Sequence, residues 1–139
     1  MYEIFVEETF AAGHALRGYR GKCENPHGHN YRVRITLQGP RLDETGLLYD
    51  FVHLKQVIHG VLDGVDHKFL NDQAPFDTIN PSAENIAKYF YEQISRQMHA
   101  SANGASVTRV DIWETDTTRA SYLPPEQRFE ESAARQGRA

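Results

Sequence analysis

The chain has 139 residues, 40% hydrophobic and 24% charged, enough for one domain with a real core and ordinary for a protein that faces water. Its formal net charge of −4 argues against a general binder of nucleic acid or of anionic membrane. A single cysteine cannot close an internal disulfide, and no apolar run approaches the roughly 20 residues that span a bilayer.

The opening Met1-Tyr2-Glu3-Ile4 has neither the basic region nor the apolar stretch of a leader, so the expectation is a cytoplasmic protein. A first strand is predicted over residues 2–10. Tyr2, Ile4, Val6, Phe10, Ala12 and His14 share an even phase, broken by Glu8, so His14 also points inward if the strand runs past Gly13. A Gly-rich loop follows, carrying the basic cluster Arg17, Arg20 and Lys22 and then Cys23. The second strand, over residues 29–38, alternates strictly: Tyr31, Val33, Ile35 and Leu37 face one way, and Arg32, Arg34, Thr36 and Gln38 the other. Extended backwards, that phase places His27 and His29 on the apolar face, where residues i and i+2 of an extended segment project together. Short His-Gly-His motifs also occur as ordinary turn and strand residues. Here the inward phase and a third histidine favour a metal. His14, His27 and His29 without an obvious fourth protein ligand match the open coordination of a catalytic zinc ion, in which water or substrate takes the remaining position.

Gly39-Pro40 ends the second strand, and the two strands are expected to pair antiparallel. Asp50 can cap a helix whose Phe51, Leu54, Val57, Ile58, Val61 and Leu62 recur at helical spacing, with Gly64 near its end. Pro81 and Ser82 open a second helix. Its first turn holds Glu84, and its buried stripe is Ile86, Tyr89, Phe90, Ile94 and Met98. A loop over residues 99–106 leads to a strand in which Val110, Ile112 and Glu114 share a phase, and a last short strand is placed over residues 119–123. Pro124-Pro125 stops it. Residues 124–139 are expected to be a polar tail after a single domain over residues 1–123. The order is ββααββ, an α+β layout with two helices on one face of an antiparallel sheet.

Three further groups could carry chemistry. Cys23 fits a small buried hydrophobe, a fourth zinc ligand, or a base or nucleophile; its polar setting between Lys22 and Glu24, four residues before His27, favours the last. In Asp66-His67 a carboxylate can fix an imidazole's tautomer, although adjacent residues need not touch and can equally be two solvated loop residues. Glu114 lies on an inward face and so needs a partner, either a buried cation or a ligand with paired N–H groups. His53, His59 and His99 fall on helix surfaces or in a loop and require no special role.

Six blocks in order carry a resemblance: Phe10-Ala11-Ala12-Gly13-His14; Cys23 with His27-Gly28-His29 and Tyr31; Asp50-Phe51 with Leu54-Lys55; Asp66-His67 with Leu70-Asn71; Pro81-Ser82-Ala83-Glu84-Asn85; and Glu114-Thr115. With these blocks the chain resembles the 6-pyruvoyltetrahydropterin synthase and 6-carboxytetrahydropterin synthase family, from about residue 5 to residue 122. The three residues between Cys23 and His27 are similar to the spacing in bacterial 6-carboxytetrahydropterin synthases of queuosine biosynthesis, and Ser82 stands where threonine is common. The resemblance implies a tunnelling fold in which trimers close a barrel and pair as a homohexamer. It also implies zinc on His14, His27 and His29, and a proton-transfer set of Cys23, Asp66 and His67 that neighbouring subunits can share. The pterin would be anchored by Glu114, with Ser82 and Glu84 beside it. The implied reaction converts 7,8-dihydroneopterin triphosphate to 6-carboxy-5,6,7,8-tetrahydropterin with release of acetaldehyde and triphosphate. Arg17, Arg20 and Lys22 are candidate triphosphate contacts or a solvated basic loop. A 6-pyruvoyltetrahydropterin synthase and a zinc-binding module without turnover are the alternatives.

Overall fold

The computed structural model describes residues 1–98 and 103–125. The tail expected from residue 126 onward, and positions 99–102 of the expected loop with His99, lie outside the described residues. Strands β1 (Tyr2–His14) and β2 (His27–Gly39) form an antiparallel hairpin in unbroken register from Tyr2 opposite Gly39 to His14 opposite His27. Both run further than their side-chain alternation alone suggests. β1 passes through Gly13 because Gly13 faces Gly28 across the pair, and a Cβ on Gly13 would meet Phe69 Cδ2 at 3.1 Å. The bare backbone at that point lets a third strand come close.

That third strand, β3 (Lys68–Phe69), pairs parallel to β1 at Ala12 and Gly13. With β4 (Ser106–Thr115) and β5 (Thr118–Tyr122) the sheet order is β3-β1-β2-β4-β5. The expected antiparallel sheet of four strands is therefore a mixed sheet of five. Two residues are too few to show a period, so sequence alternation could not reveal β3.

Helix α1 (Phe51–Leu62) begins where expected, with Asp50 Oδ1 accepting from Val52 N at 2.8 Å. Helix α2 (Ala83–Met98) starts behind Ser82, whose Oγ accepts from Asn85 N at 3.2 Å. Both helices press their apolar stripes onto one face of the sheet. Leu54, Ile58, Ile86, Phe90 and Ile94 join Val6, Phe10, Tyr31, Val33, Ile35, Val110 and Ile112 in a single core. Each large side chain taken fully out of water contributes about 1.5–3 kcal/mol, which makes this face the main source of stability.

The helix-free face carries the opposite phase. Thr9, Arg32, Trp113 and Arg119 form one cross-strand row, and Glu7, Arg34, Asp111 and Ser121 the next. Arg34 Nη2 lies 2.6 Å from Glu7, Arg109 Nε 2.7 Å from Asp111, and the Arg32 guanidinium 4.2 Å above the Trp113 ring. Paired charges and stacked cations thus cover what the helices leave open.

Candidate metal centre and active site

The β1–β2 register brings three imidazoles together, since His14 faces His27 and Ala12 faces His29 on the helix side of the sheet. Two of them have fixed tautomers. His14 Nδ1 lies 2.6 Å from the carbonyl oxygen of Pro81, and His27 Nδ1 lies 2.7 Å from that of Asn25. A carbonyl only accepts, so each Nδ1 carries its proton and each Nε2 presents a bare lone pair. Those two Nε2 atoms stand 2.9 Å apart. Facing lone pairs repel, and a cation between them turns repulsion into two bonds. His29 Nε2 is buried without a partner, and the ligand nitrogens of all three rings lie within 4.8 Å of one another. Tetrahedral zinc, with Zn–N of about 2.0–2.1 Å, needs its nitrogens about 3.3 Å apart, so the donor set fits that ion. The backbone carbonyls behind His14 and His27 are the partners that orient metal-binding imidazoles.

Glu114 supplies negative charge to the same spot. Its Oε1 lies 3.9 Å from His14 Nε2 and its Oε2 3.9 Å from His29 Nε2. Burial holds the His29 pKa below the usual imidazole value, against an opposing pull from Glu114, so the neutral, ligating form is favoured. Burial, followed by the Glu114 charge, raises the Tyr31 pKa, and the phenol keeps its proton. Glu114 also lines a cavity of about 230 Å³ together with Ser82, Glu84, Leu16 and Arg119. The three residues expected to contact substrate therefore share one hollow that opens beside the imidazoles. Ser82 has a second task there as the cap of α2.

Asp66 and His67 do touch, with Nδ1 3.0 Å from Oδ1. The contact depends on backbone. His67 has a φ of 59°, the left-handed region that costs a non-glycine residue on the order of 1 kcal/mol. The turn is clamped to β1: Ala11 N donates to Asp66 Oδ1 at 2.9 Å, and His67 N donates to Ala11 O at 2.6 Å. The Ala11 N–H is the largest of the influences that hold the Asp66 carboxyl below its ordinary pKa. The His67 side chain is 81% exposed and borders a second hollow, of about 430 Å³, over Gly13, Gly28 and His29.

Cys23 lies half-buried in a 3-10 turn, Lys22–Glu24, and its carbonyl accepts from Leu16 N at 2.8 Å. Its sulfur does not belong to the group of converging imidazoles. Among the described residues no hydrogen bond links Cys23 to Asp66 or His67 within one chain.

Two asparagines that sequence reasoning left without a role hold this loop. Asn71 donates to and accepts from the backbone of Ala15, at 2.8 and 2.9 Å, and Asn80 does the same for Arg17, at 2.9 Å each way. Each amide imitates a neighbouring strand, extending β1 beyond its last partner. The signal was the pair of asparagines in Leu70-Asn71 and Ile79-Asn80, yet nothing in sequence tells a strap from a turn residue. Arg17, one of the candidate triphosphate contacts, is tied to backbone while remaining exposed. Its guanidinium donates to the carbonyls of Phe76 at 2.8 Å, Asn71 at 3.3 Å and Ile79 at 3.4 Å, which makes it part of the scaffold. Arg20 and Lys22 remain exposed.

Comparison with known proteins agrees with this geometry. Residues 3–125 match the family model described as 6-pyruvoyl tetrahydropterin synthase. A 6-carboxy-5,6,7,8-tetrahydropterin synthase of Bacillus subtilis is 32% identical over 88% of this chain and 86% of its own. A 6-pyruvoyl tetrahydrobiopterin synthase of Drosophila melanogaster is 34% identical over 85% and 77%. The solved structure of the Caenorhabditis elegans 6-pyruvoyl tetrahydropterin synthase superposes with a TM-score of 0.78 at 31% identity, covering 88% of this chain and 95% of that one.

Proposed function

The chain belongs to the 6-pyruvoyl tetrahydropterin synthase family of pterin synthase lyases, and from that premise we propose that it is a zinc-dependent 6-carboxy-5,6,7,8-tetrahydropterin synthase. It would act on 7,8-dihydroneopterin triphosphate, with water, to give the carboxypterin, acetaldehyde and triphosphate, within queuosine or other 7-deazapurine biosynthesis. The observation that carries the reading is the convergence of three imidazole nitrogens, two of them fixed as bare lone pairs, beside a cavity that contains Glu114.

His14, His27 and His29 would hold the zinc, whose contribution when bound is to make the substrate's side-chain hydroxyls and the adjacent C–H more acidic. The remaining work falls to the protein. Glu114 accepts paired N–H bonds from the pterin ring, as a two-oxygen acceptor can, while Ser82 and Glu84 line the same wall. Cys23 takes a proton from the side chain and His67, oriented by Asp66, returns one. Arg20 and Lys22 meet the triphosphate.

Because no hydrogen bond joins Cys23 to His67 within one chain among the described residues, the reading includes a homohexamer in which neighbouring copies complete each site. The outer edges of β1, before Ala12, and of β5 have no strand partner among the described residues, and pairing such edges between copies would remove a liability. The enzyme would work in the cytoplasm, as one domain over residues 1–123, without nucleic-acid or membrane partners. Among the described residues, no helix is long and apolar enough to cross a membrane.

A 6-pyruvoyltetrahydropterin synthase is the second reading, favoured by the Drosophila and Caenorhabditis relatives. Incubating the zinc-loaded protein with dihydroneopterin triphosphate and identifying the products by mass spectrometry separates them. Acetaldehyde with the carboxypterin supports the first reading and the pyruvoyl product the second; tight binding without turnover would leave a zinc-binding module.

A further inference from the structure

Tyr31 is fully buried, yet its hydroxyl meets no hydrogen-bond partner among the described residues. The ring is accounted for by packing: it stacks on Phe10 with centroids 4.8 Å apart, and it stands across His29 at 5.3 Å and His14 at 5.9 Å. Phenylalanine would make every one of those contacts without the oxygen. An unpaired buried hydroxyl costs about 1–3 kcal/mol, so the oxygen calls for a partner that the folded chain alone does not provide. Several other side chains have an unpartnered polar atom, namely Arg32, Ser95, Ser106, Thr108 and His29, but each of these residues is partly exposed. Of these, His29 Nε2 alone lies two residues away on the same face of β2, in the ring that Tyr31 touches. Two orphaned polar groups thus belong to rings that touch one another within the imidazole group.

We propose that Tyr31 is a positioning residue of the metal centre: its phenol donates a hydrogen bond to the oxygen, of water or of a substrate hydroxyl, that occupies the open position beside His14, His27 and His29. The inference rests on the reading of those histidines as a zinc site. His29 becomes satisfied as a ligand, and Tyr31 becomes satisfied through the oxygen that completes the shell. The hydroxyl then acts on that oxygen and contributes nothing to the empty fold.

Tyr31→Phe tests this with zinc alone as the probe. In the metal-free protein the substitution should leave the melting temperature unchanged or raise it, since it deletes an unpaired buried oxygen. Zinc affinity, measured by competition with a chromophoric chelator, should weaken roughly five- to tenfold, the size of one net hydrogen bond. The visible spectrum of the cobalt(II) form should shift as well. Equal zinc affinity and an unchanged cobalt spectrum would overturn the role of Tyr31 and leave the zinc site standing. Failure of the unsubstituted protein to bind zinc would overturn both. A lower melting temperature of the metal-free variant, or a variant that cannot be recovered folded, would show a structural partner for the hydroxyl and also overturn the proposal.

Discussion

His29 enters the imidazole group with a free Nε2 and a half-buried ring, so His29→Ala deletes one of the proposed ligands. Metal content, measured on the purified variant by elemental analysis, should fall with an affinity loss on the order of 100-fold or more, since even outer partners of metal ligands are worth 10- to 100-fold. Full occupancy would remove His29 from the ligand set. Cys23 makes the complementary case because its sulfur stands outside that group. Cys23→Ala should keep its zinc and lose turnover by on the order of 10²-fold, the value of a positioned base. Loss of zinc together with activity would make it a ligand, and wild-type turnover would leave it as packing. Asp66 gives a dependence on pH with a definite sign. Its folded pKa lies below the ordinary value of about 3.9, so near that pH the unfolded chain binds more protons than the folded one. Its contribution is present above that value and is lost as the pH falls through the folded pKa. Asp66→Asn keeps an acceptor for Ala11 N without the titration. Urea midpoints taken between about pH 3 and pH 6 should therefore fall less steeply on acidification in the variant, and parallel slopes would assign the acid sensitivity to other carboxylates.

Helix α2 shows how one element serves both the fold and the site. Its cap, Ser82, bonds Asn85 N and also lines the Glu114 cavity. Ser82→Ala should lower stability by about 1 kcal/mol through the lost cap, read from urea unfolding, and Ser82→Thr should restore it because the hydroxyl returns. Pterin affinity that falls in the alanine variant and recovers with threonine would add a substrate contact to the structural one. Elements of this length were legible in the sequence because their patterns repeat. The period of two placed His27 and His29 inward, and the phase of Val110 and Ile112 placed Glu114 beside them. Both helices follow their apolar spacing and their capping residues. What remained hidden is short or depends on distant partners. β3 is two residues long, the Asp66–His67 contact needs a positive φ, and the Asn71 and Asn80 straps bond to backbone over fifty residues away in sequence. The guanidinium of Arg17 looked free for a phosphate because the carbonyls it binds belong to a loop that sequence alone does not bring near.

At the scale of the whole molecule, the groups assigned to chemistry come from every part of the chain, while the three histidines that could hold a metal all come from one hairpin. His14 and His27 are 13 positions apart, and residues 15–26 are the only loop that must close to bring them together. A loop this short closes at modest entropic cost compared with the pairing of β2 and β4, whose partners Arg32 and Trp113 are 81 positions apart. A cation held by those histidines could therefore staple the hairpin before the rest of the sheet assembles, and so take part in the rate-limiting step of folding. Stopped-flow refolding with and without zinc should show faster folding in its presence, with at most a small change in the unfolding rate. Zinc that slows unfolding alone would place assembly of the ligand set after the barrier. In the first case the ion proposed for catalysis would also set how soon a newly made chain becomes active, so that scarcity of zinc would be felt as slow maturation as well as lost turnover.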